Sequence, residues 1–68
     1  MKIDVEKLDI KIAESGMLIK DFCKKAEIGE ITLRAIRHGR CEPRIATVGK
    51  IAKALGVSAK EIVVVDWE

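Results

Sequence analysis

The segment from Gly16 to Gly56 constrains the fold of this chain more than any other feature. In it, short runs of apolar residues at helical spacing are separated by glycine-containing turns at 27–29 and 39–43. Glycine adopts the left-handed backbone conformation in which many helices end, and Pro43 cannot continue a helix on its N-terminal side. The pattern therefore predicts short amphipathic helices joined by tight corners.

The composition favours one small aliphatic core. The chain has 68 residues, 49% of them hydrophobic and 35% charged, with one Trp, one Phe and no Tyr. This length is too short for a cleft that buries catalytic groups deeply. We predict a single domain, residues 1–68, of the all-α class: a compact five-helix bundle with a short extended C-terminal tail.

Capping residues and turns set the predicted helix boundaries. Asp4 is suited to cap the first helix, and Ser58 forms a capping box with Glu61 at the start of the last. The predicted helices cover residues 5–15, 19–26, 30–38, 45–55 and 58–63, followed by an extended tail from Val63. Helical spacing predicts core positions at Val5, Leu8, Ile12, Ala13, Phe22, Cys23, Ala26, Ile28, Leu33, Ile36, Ile45, Val48, Ile51, Ala52 and Leu55.

Positive charge is concentrated in the middle of the chain. Residues 16–40 carry six basic and three acidic side chains and residues 41–60 carry four and one, whereas both ends are net acidic. A solvated helix face is the ordinary explanation of such an excess. Here the outer face of the third helix also shows the aliphatic Ile31 among charged residues, which a purely structural helix has little need to expose. The combination indicates a surface that contacts a ligand.

These residues resemble the phage repressor and Cro family of helix-turn-helix DNA-binding domains, the XRE type, over nearly the whole chain. The motif itself spans about 19–38. The matching features are Gly16-Met17 before the second helix, the small residue Cys23, the apolar residues Ile28, Leu33 and Ile36, the break from Gly39 to Pro43, and the stretch from Lys50 to Ser58. Glu27 departs from the family, which often has Gly at this turn, so the corner must strain a non-glycine residue or bend differently. Ile19 stands where the family often has Gln.

The resemblance implies a sequence-specific DNA-binding transcriptional regulator, a repressor that acts as a homodimer on double-stranded DNA. The third helix, about 29–38, would lie in the major groove while the second helix crosses the phosphate backbone. The positions of the motif that face bases hold Glu30, Ile31, Thr32, Arg34 and Ala35. The residues placed to contact phosphates are Lys20, Arg37, His38, Arg40 and Arg44.

Glu30 and Arg37 each have two alternative roles, and Ile31 has one specific role. Glu30 either accepts a hydrogen bond from a cytosine amino group or complements the positive end of the helix dipole. Ile31 is suited to pack on a thymine methyl group. Arg37 either reaches the DNA or covers Ile12 at the edge of the core.

The apolar C-terminal residues suggest how two chains pair. A module of this size reads few base pairs and gains affinity from two half-sites, so we predict a homodimer. The interface is predicted in residues 62–68, at Ile62, Val63, Val64, Val65 and Trp67, with Trp67 folded onto its own core as the alternative. The acidic carboxyl end and the lack of adenine-pairing Gln or Asn leave an alternative function, an antitoxin-like or other protein-interaction module with the same fold.

Other classes of function have little support in the sequence. No metal or cofactor motif and no small-molecule site is evident, and no nucleophile has His and acid partners in a known arrangement, so we predict a non-enzyme without cofactor. Cys23 and Cys41 are expected to be free thiols. No apolar run approaches the ~20 residues that span a bilayer, and the amino terminus lacks a secretion signal, which predicts a cytoplasmic protein without membrane contact.

Overall fold

The fold consists of four α-helices and one short 3-10 turn in the computed structural model, which describes residues 2–64. The helices are α1 (Val5–Ser15), α2 (Ile19–Ala26), α3 (Glu30–Arg37) and α4 (Ile45–Leu55), and the 3-10 turn is Ala59–Glu61. The predicted all-α class is confirmed. The predicted fifth α-helix is wrong, because only three residues take up a helical conformation there.

The last helical segment is a single turn closed by hydrogen bonds of three-residue spacing. The Ser58 N–H donates to Glu61 Oε2 at 2.9 Å, and the Glu61 N–H donates to the Ser58 carbonyl at 2.9 Å. One further bond, from the Ile62 N–H to the Ala59 carbonyl at 3.0 Å, has the same three-residue spacing. The β-branched residues that follow favour extended backbone, so no further α-helical turn is added.

The two ends of the described chain pair with each other in an extended conformation. Ile3 and Val63 form an isolated antiparallel bridge. The Asp4 N–H donates to the Ile62 carbonyl and the Val64 N–H donates to the Lys2 carbonyl, each at 2.9 Å. The predicted extended tail thus begins at Val63, held against the first residues of the chain.

The helices end where the sequence predicts. Asp4 Oδ1 accepts a hydrogen bond from the Lys7 N–H and caps α1, and Gly16, Gly39 and Gly56 follow α1, α3 and α4 with positive φ. At Glu27, the only non-glycine residue of positive φ among residues 2–64, φ is 57°. Of the two ways in which the corner could accommodate Glu27, the structure therefore shows the strained residue.

One hydrophobic core joins all four helices. α4 packs against α1, α2 and the 3-10 turn, and α3 packs against α1 and α2. The largest fully buried side chains are Phe22, Leu8, Leu33, Ile36, Ile51, Ile62 and Val48.

Two predicted core residues are exposed instead. Ala13 is exposed on α1, and Ile45 is 75% exposed at the first residue of α4. Ile45 shares the helical stripe of Val48, but it lies one turn nearer the surface loop that leads into α4, beyond the end of the core. Its exposure follows from the position of the helix end, which periodicity does not reveal.

The structure also corrects part of the predicted dimer interface. Ile62 and Val63, predicted to pair with a second chain, are 0% and 6% exposed and belong to the chain's own core. The pairing of the two chain ends folds them inward. Val64 is exposed, and Val65 and Trp67 lie outside the described residues.

Candidate nucleic-acid interface

Helix α3 is anchored by one face and presents the other to solvent. Leu33 and Ile36 are completely buried and fix the helix in the core. On the opposite side the exposed residues are Glu30, Ile31, Thr32 and Arg34, while Ala35 is half-buried. The structure thus brings the five predicted base-facing residues onto the outer part of a single helix, with four of them accessible.

Ile31 is the most exposed large hydrophobic residue in the described part of the chain, at 82%. It is the second residue of α3 and lies between exposed polar neighbours. Leu18 and Ile45, the next most exposed, also stand at helix starts, those of α2 and α4. The beginnings of three successive helices therefore carry bare aliphatic side chains.

Those three helix starts also lack side-chain caps. The N-cap residues of α2, α3 and α4 are Leu18, Gly29 and Arg44. None of the three accepts a hydrogen bond through its side chain from the first backbone N–H groups of its helix. By contrast, Asp4 caps α1. Uncapped N–H groups together with the helix dipole make a helix start attractive to anions such as phosphate.

Basic side chains surround α3. Lys20 is exposed in the first turn of α2, and the loop from α3 to α4, residues 38–44, carries the exposed His38, Arg40 and Arg44. These four side chains lie before and after the exposed face of α3 along the chain. Four of the five predicted phosphate-contacting residues thus keep their side chains in solvent.

Arg37 has a partner within the chain. Its Nε donates to Asp9 Oδ1 at 2.8 Å, and the two side chains are 37% and 43% exposed. The bond joins the last residue of α3 to the middle of α1. The sequence analysis predicted that Arg37 contacts a phosphate or covers Ile12, and it did not predict this ion pair. A half-exposed pair contributes little free energy, about 1 kcal/mol or less, but it orients the end of α3 relative to α1.

A shallow cleft brings several of these groups together. It is lined by residues from the start of α2 and along α3, namely Ile19, Glu30, Leu33, Arg34, Arg37 and His38. Asp9 is the site residue that the sequence analysis missed, since it lies 28 residues from its partner. In the sequence, only the opposite charges of Asp9 and Arg37 could have indicated that the two residues pair.

The Cys23 thiol does not have the environment of a reactive cysteine. Cys23 is buried and Cys41 exposed, and both are free. Burial raises the pKa of the Cys23 thiol, and the nearby Glu30 carboxylate raises it further. Cys23 is therefore protonated at neutral pH and acts as a small core residue at the corner between α2 and α3.

Comparison with known protein families identifies the kind of domain that contains α3. Residues 7–66 match the model of the Cro/C1-type helix-turn-helix DNA-binding domain. The chain belongs to this family. Comparison with curated proteins and with solved structures gave no significant match. α2 and α3, joined by the turn that contains Glu27, occupy the segment in which the sequence predicts the helix-turn-helix motif.

The family membership establishes the resemblance drawn from the sequence and identifies a DNA-binding domain. Uncapped helix starts and exposed basic side chains are features suited to binding a polyanion such as DNA. None of the helices in residues 2–64 is long and apolar enough to cross a membrane.

Proposed function

We propose that this Cro/C1-type domain is a sequence-specific transcriptional repressor that binds its operator as a homodimer, with α3 in the major groove. The observation that supports this most is the division of α3 into a buried face, Leu33 and Ile36, and an exposed face that begins with Glu30 and Ile31. A helix held in this way can enter a groove about 12 Å wide without disturbing the core.

The residues of the exposed face divide into two groups by their chemistry. Glu30, Ile31, Thr32, Arg34 and Ala35 are proposed to face base edges. Lys20, His38, Arg40 and Arg44 are proposed to contact phosphates, next to the open N–H groups at the starts of α2 and α4. Arg37 is proposed to position α3 through Asp9, because its Nε is already engaged there.

The homodimer is proposed from the size of the contact. A single short helix reads only a few base pairs, and two half-sites one helical turn apart multiply the affinity. Since Ile62 and Val63 are buried within the chain, the proposed interface is reduced to the exposed Val64 and the predicted residues Val65 and Trp67 beyond it.

The salt dependence of DNA binding tests the proposal. Three cationic Lys and Arg side chains per protomer, or six in a dimer, give a slope of log K against log salt of about −5 at 0.9 per contact. Raising the salt from ~50 to ~200 mM should then weaken binding roughly 2,000-fold for a dimer and about 40-fold for a monomer. Duplex fragments of random and genomic sequence serve as probes, and fluorescence anisotropy measures the binding.

A matched control separates the site from general positive charge. Lys60 is exposed on the 3-10 turn that follows α4, at the opposite end of this ~16 Å helix from Arg44. Lys60→Ala should leave the slope unchanged, whereas Arg44→Ala should make it shallower. DNA binding that is absent at both salt concentrations would refute the proposed function and favour a protein partner.

A further inference from the structure

Nothing in residues 2–64 explains the exposure of Ile31. Its side chain is 82% exposed, although it lies on a helix whose other large aliphatic residues, Leu33 and Ile36, are 0% and 1% exposed. Ile31 is two residues from Leu33, a rotation of about 200° around the helix, so it points away from the core. Burying a side chain of this type in an apolar contact is favourable, and the fold leaves that contact unmade.

The surroundings of Ile31 indicate the kind of group that it contacts. Its neighbours along the exposed face are Glu30, Thr32 and Arg34, all polar and exposed, and Ala35 one turn later is half-buried. A protein-docking surface presents several contiguous apolar residues, whereas Ile31 is the only large aliphatic residue on the exposed face of α3. The matching surface on the partner is therefore a small apolar group surrounded by hydrogen-bonding groups.

The major groove of DNA offers one such group. Thymine presents a C5-methyl group beside its O4 acceptor, and this methyl is the only apolar feature on the base edges of unmodified DNA in that groove. The first residues of a recognition helix are the ones that approach base edges, and Ile31 is the second residue of α3.

We propose that Ile31 is a specificity-determining residue that selects thymine at one position of each half-site by packing on its 5-methyl group. This proposal rests on the proposed DNA-binding function and adds to it the base and the chemical group that are read. It predicts that binding depends on the methyl group itself, separately from the hydrogen-bonding pattern of the base.

Deoxyuridine provides the test, because it differs from thymidine only by the 5-methyl group. A random duplex library is selected for binding to the full chain at ~50 mM salt, and the selected pool is then amplified with either dTTP or dUTP. One buried methyl group corresponds to about 0.8 kcal/mol, or about fourfold in affinity. The uridine pool should therefore bind about fourfold more weakly per half-site, and about 15-fold more weakly for a dimer on two half-sites.

Variants of two exposed isoleucines complete the experiment. Ile31→Ala should bind the thymidine and uridine pools equally, and Ile31→Val should retain part of the difference. Ile45→Ala is the matched control, since Ile45 is also an isoleucine at a helix start and is 75% exposed. It should keep the full thymidine-to-uridine ratio. Thermal unfolding verifies that each variant is folded.

The results distinguish the two proposals. Equal binding of both pools by the unmodified chain, or an undiminished ratio in Ile31→Ala, would overturn the role of Ile31 and leave DNA binding intact. A failure of the unmodified chain to bind any duplex would overturn the proposed function and this inference together.

Discussion

The left-handed residue Glu27 in the turn between α2 and α3 leads to a prediction about stability. Its φ of 57° and ψ of 42° lie in the left-handed region, which glycine adopts without strain and L-residues do not. The backbone bonds that close the turn are in place: the Glu27 N–H donates to the Lys24 carbonyl at 3.2 Å and the Ile28 N–H to the Cys23 carbonyl at 3.0 Å. These are the two bonds of a Schellman motif, whose left-handed position is usually glycine. We therefore expect Glu27→Gly to stabilise the fold.

The magnitude follows from two opposing terms. The left-handed conformation costs an L-residue about 1–2 kcal/mol, and glycine loses about 0.5–1 kcal/mol more conformational entropy on folding. The net gain in the free energy of unfolding is about 0.5–1 kcal/mol. For a domain of this size, that corresponds to an increase in Tm of about 2–8 °C.

Two further variants separate the backbone from the charge. Glu27 lines a cleft with Lys25, Lys50 and Lys53, so glycine also removes a carboxylate near cations. Glu27→Ala removes the same carboxylate but keeps a Cβ in the left-handed conformation. The difference between Glu27→Gly and Glu27→Ala therefore measures the net backbone effect, which is the relief of strain less the extra conformational entropy of glycine, without the change in charge.

Gly56 supplies the converse test. Its φ is 69°, and a Cβ added there would meet nothing within 4 Å, so Gly56→Ala should lower stability by about 0.5–1 kcal/mol through the same two backbone terms and without a steric clash. Urea unfolding followed by circular dichroism gives all three values. If Glu27→Gly proves no more stable than Glu27→Ala, the strain argument is refuted.

The remaining predictions concern DNA binding, the core and pH. Arg40→Ala and Arg44→Ala should each weaken binding to all duplexes alike and reduce the salt slope by about 0.9 per protomer, or about 1.8 for a dimer, and a loss confined to one sequence would contradict a phosphate role. Ile62→Ala should destabilise the fold by about 2–5 kcal/mol at every protein concentration, as a core residue does, and a loss that vanishes on dilution would instead indicate a dimer contact. The Ser58 N–H, and then the Lys11 ammonium, hold the pKa of Glu61 below its ordinary value of 4.5. Because the pKa of Glu61 is lower in the folded state, this stabilisation is present at neutral pH and is lost as the pH falls through 4.5 and below. Glu61→Gln should therefore show a smaller decline of Tm in acid than the unmodified chain.

The helices were predictable because their signals are local. Asp4 caps α1 through an oxygen three residues from its partner, and Gly39 and Gly56 end α3 and α4 where the left-handed conformation is needed. The outward face of α3 could likewise be predicted, since the buried Leu33 and Ile36 dictate which face remains outside. The error at the fifth helix arose because Ser58 and Glu61 satisfy a capping box in a single 3-10 turn as well as in an α-helix.

The contacts of Asp9, Arg37, Ile62 and Val63 could not be predicted in this way. Arg37 and Asp9 are 28 positions apart, and nothing in either local sequence distinguishes them from ordinary surface charges. Ile62 and Val63 were identified as apolar residues that need cover, but whether the cover comes from the same chain or another depends on where Ile3 lies.

The sequence by itself determined the four helices, their ends and the outward face of α3, because capping, glycine conformation and 3.6-residue periodicity act over a few residues. The tertiary structure alone decided that Arg37 is held by Asp9, that Ile45 lies beyond the end of the core, and that Ile62 and Val63 are buried by the pairing of the two chain ends. These outcomes depend on distances between residues far apart in the chain, and those distances exist only once the helices have packed.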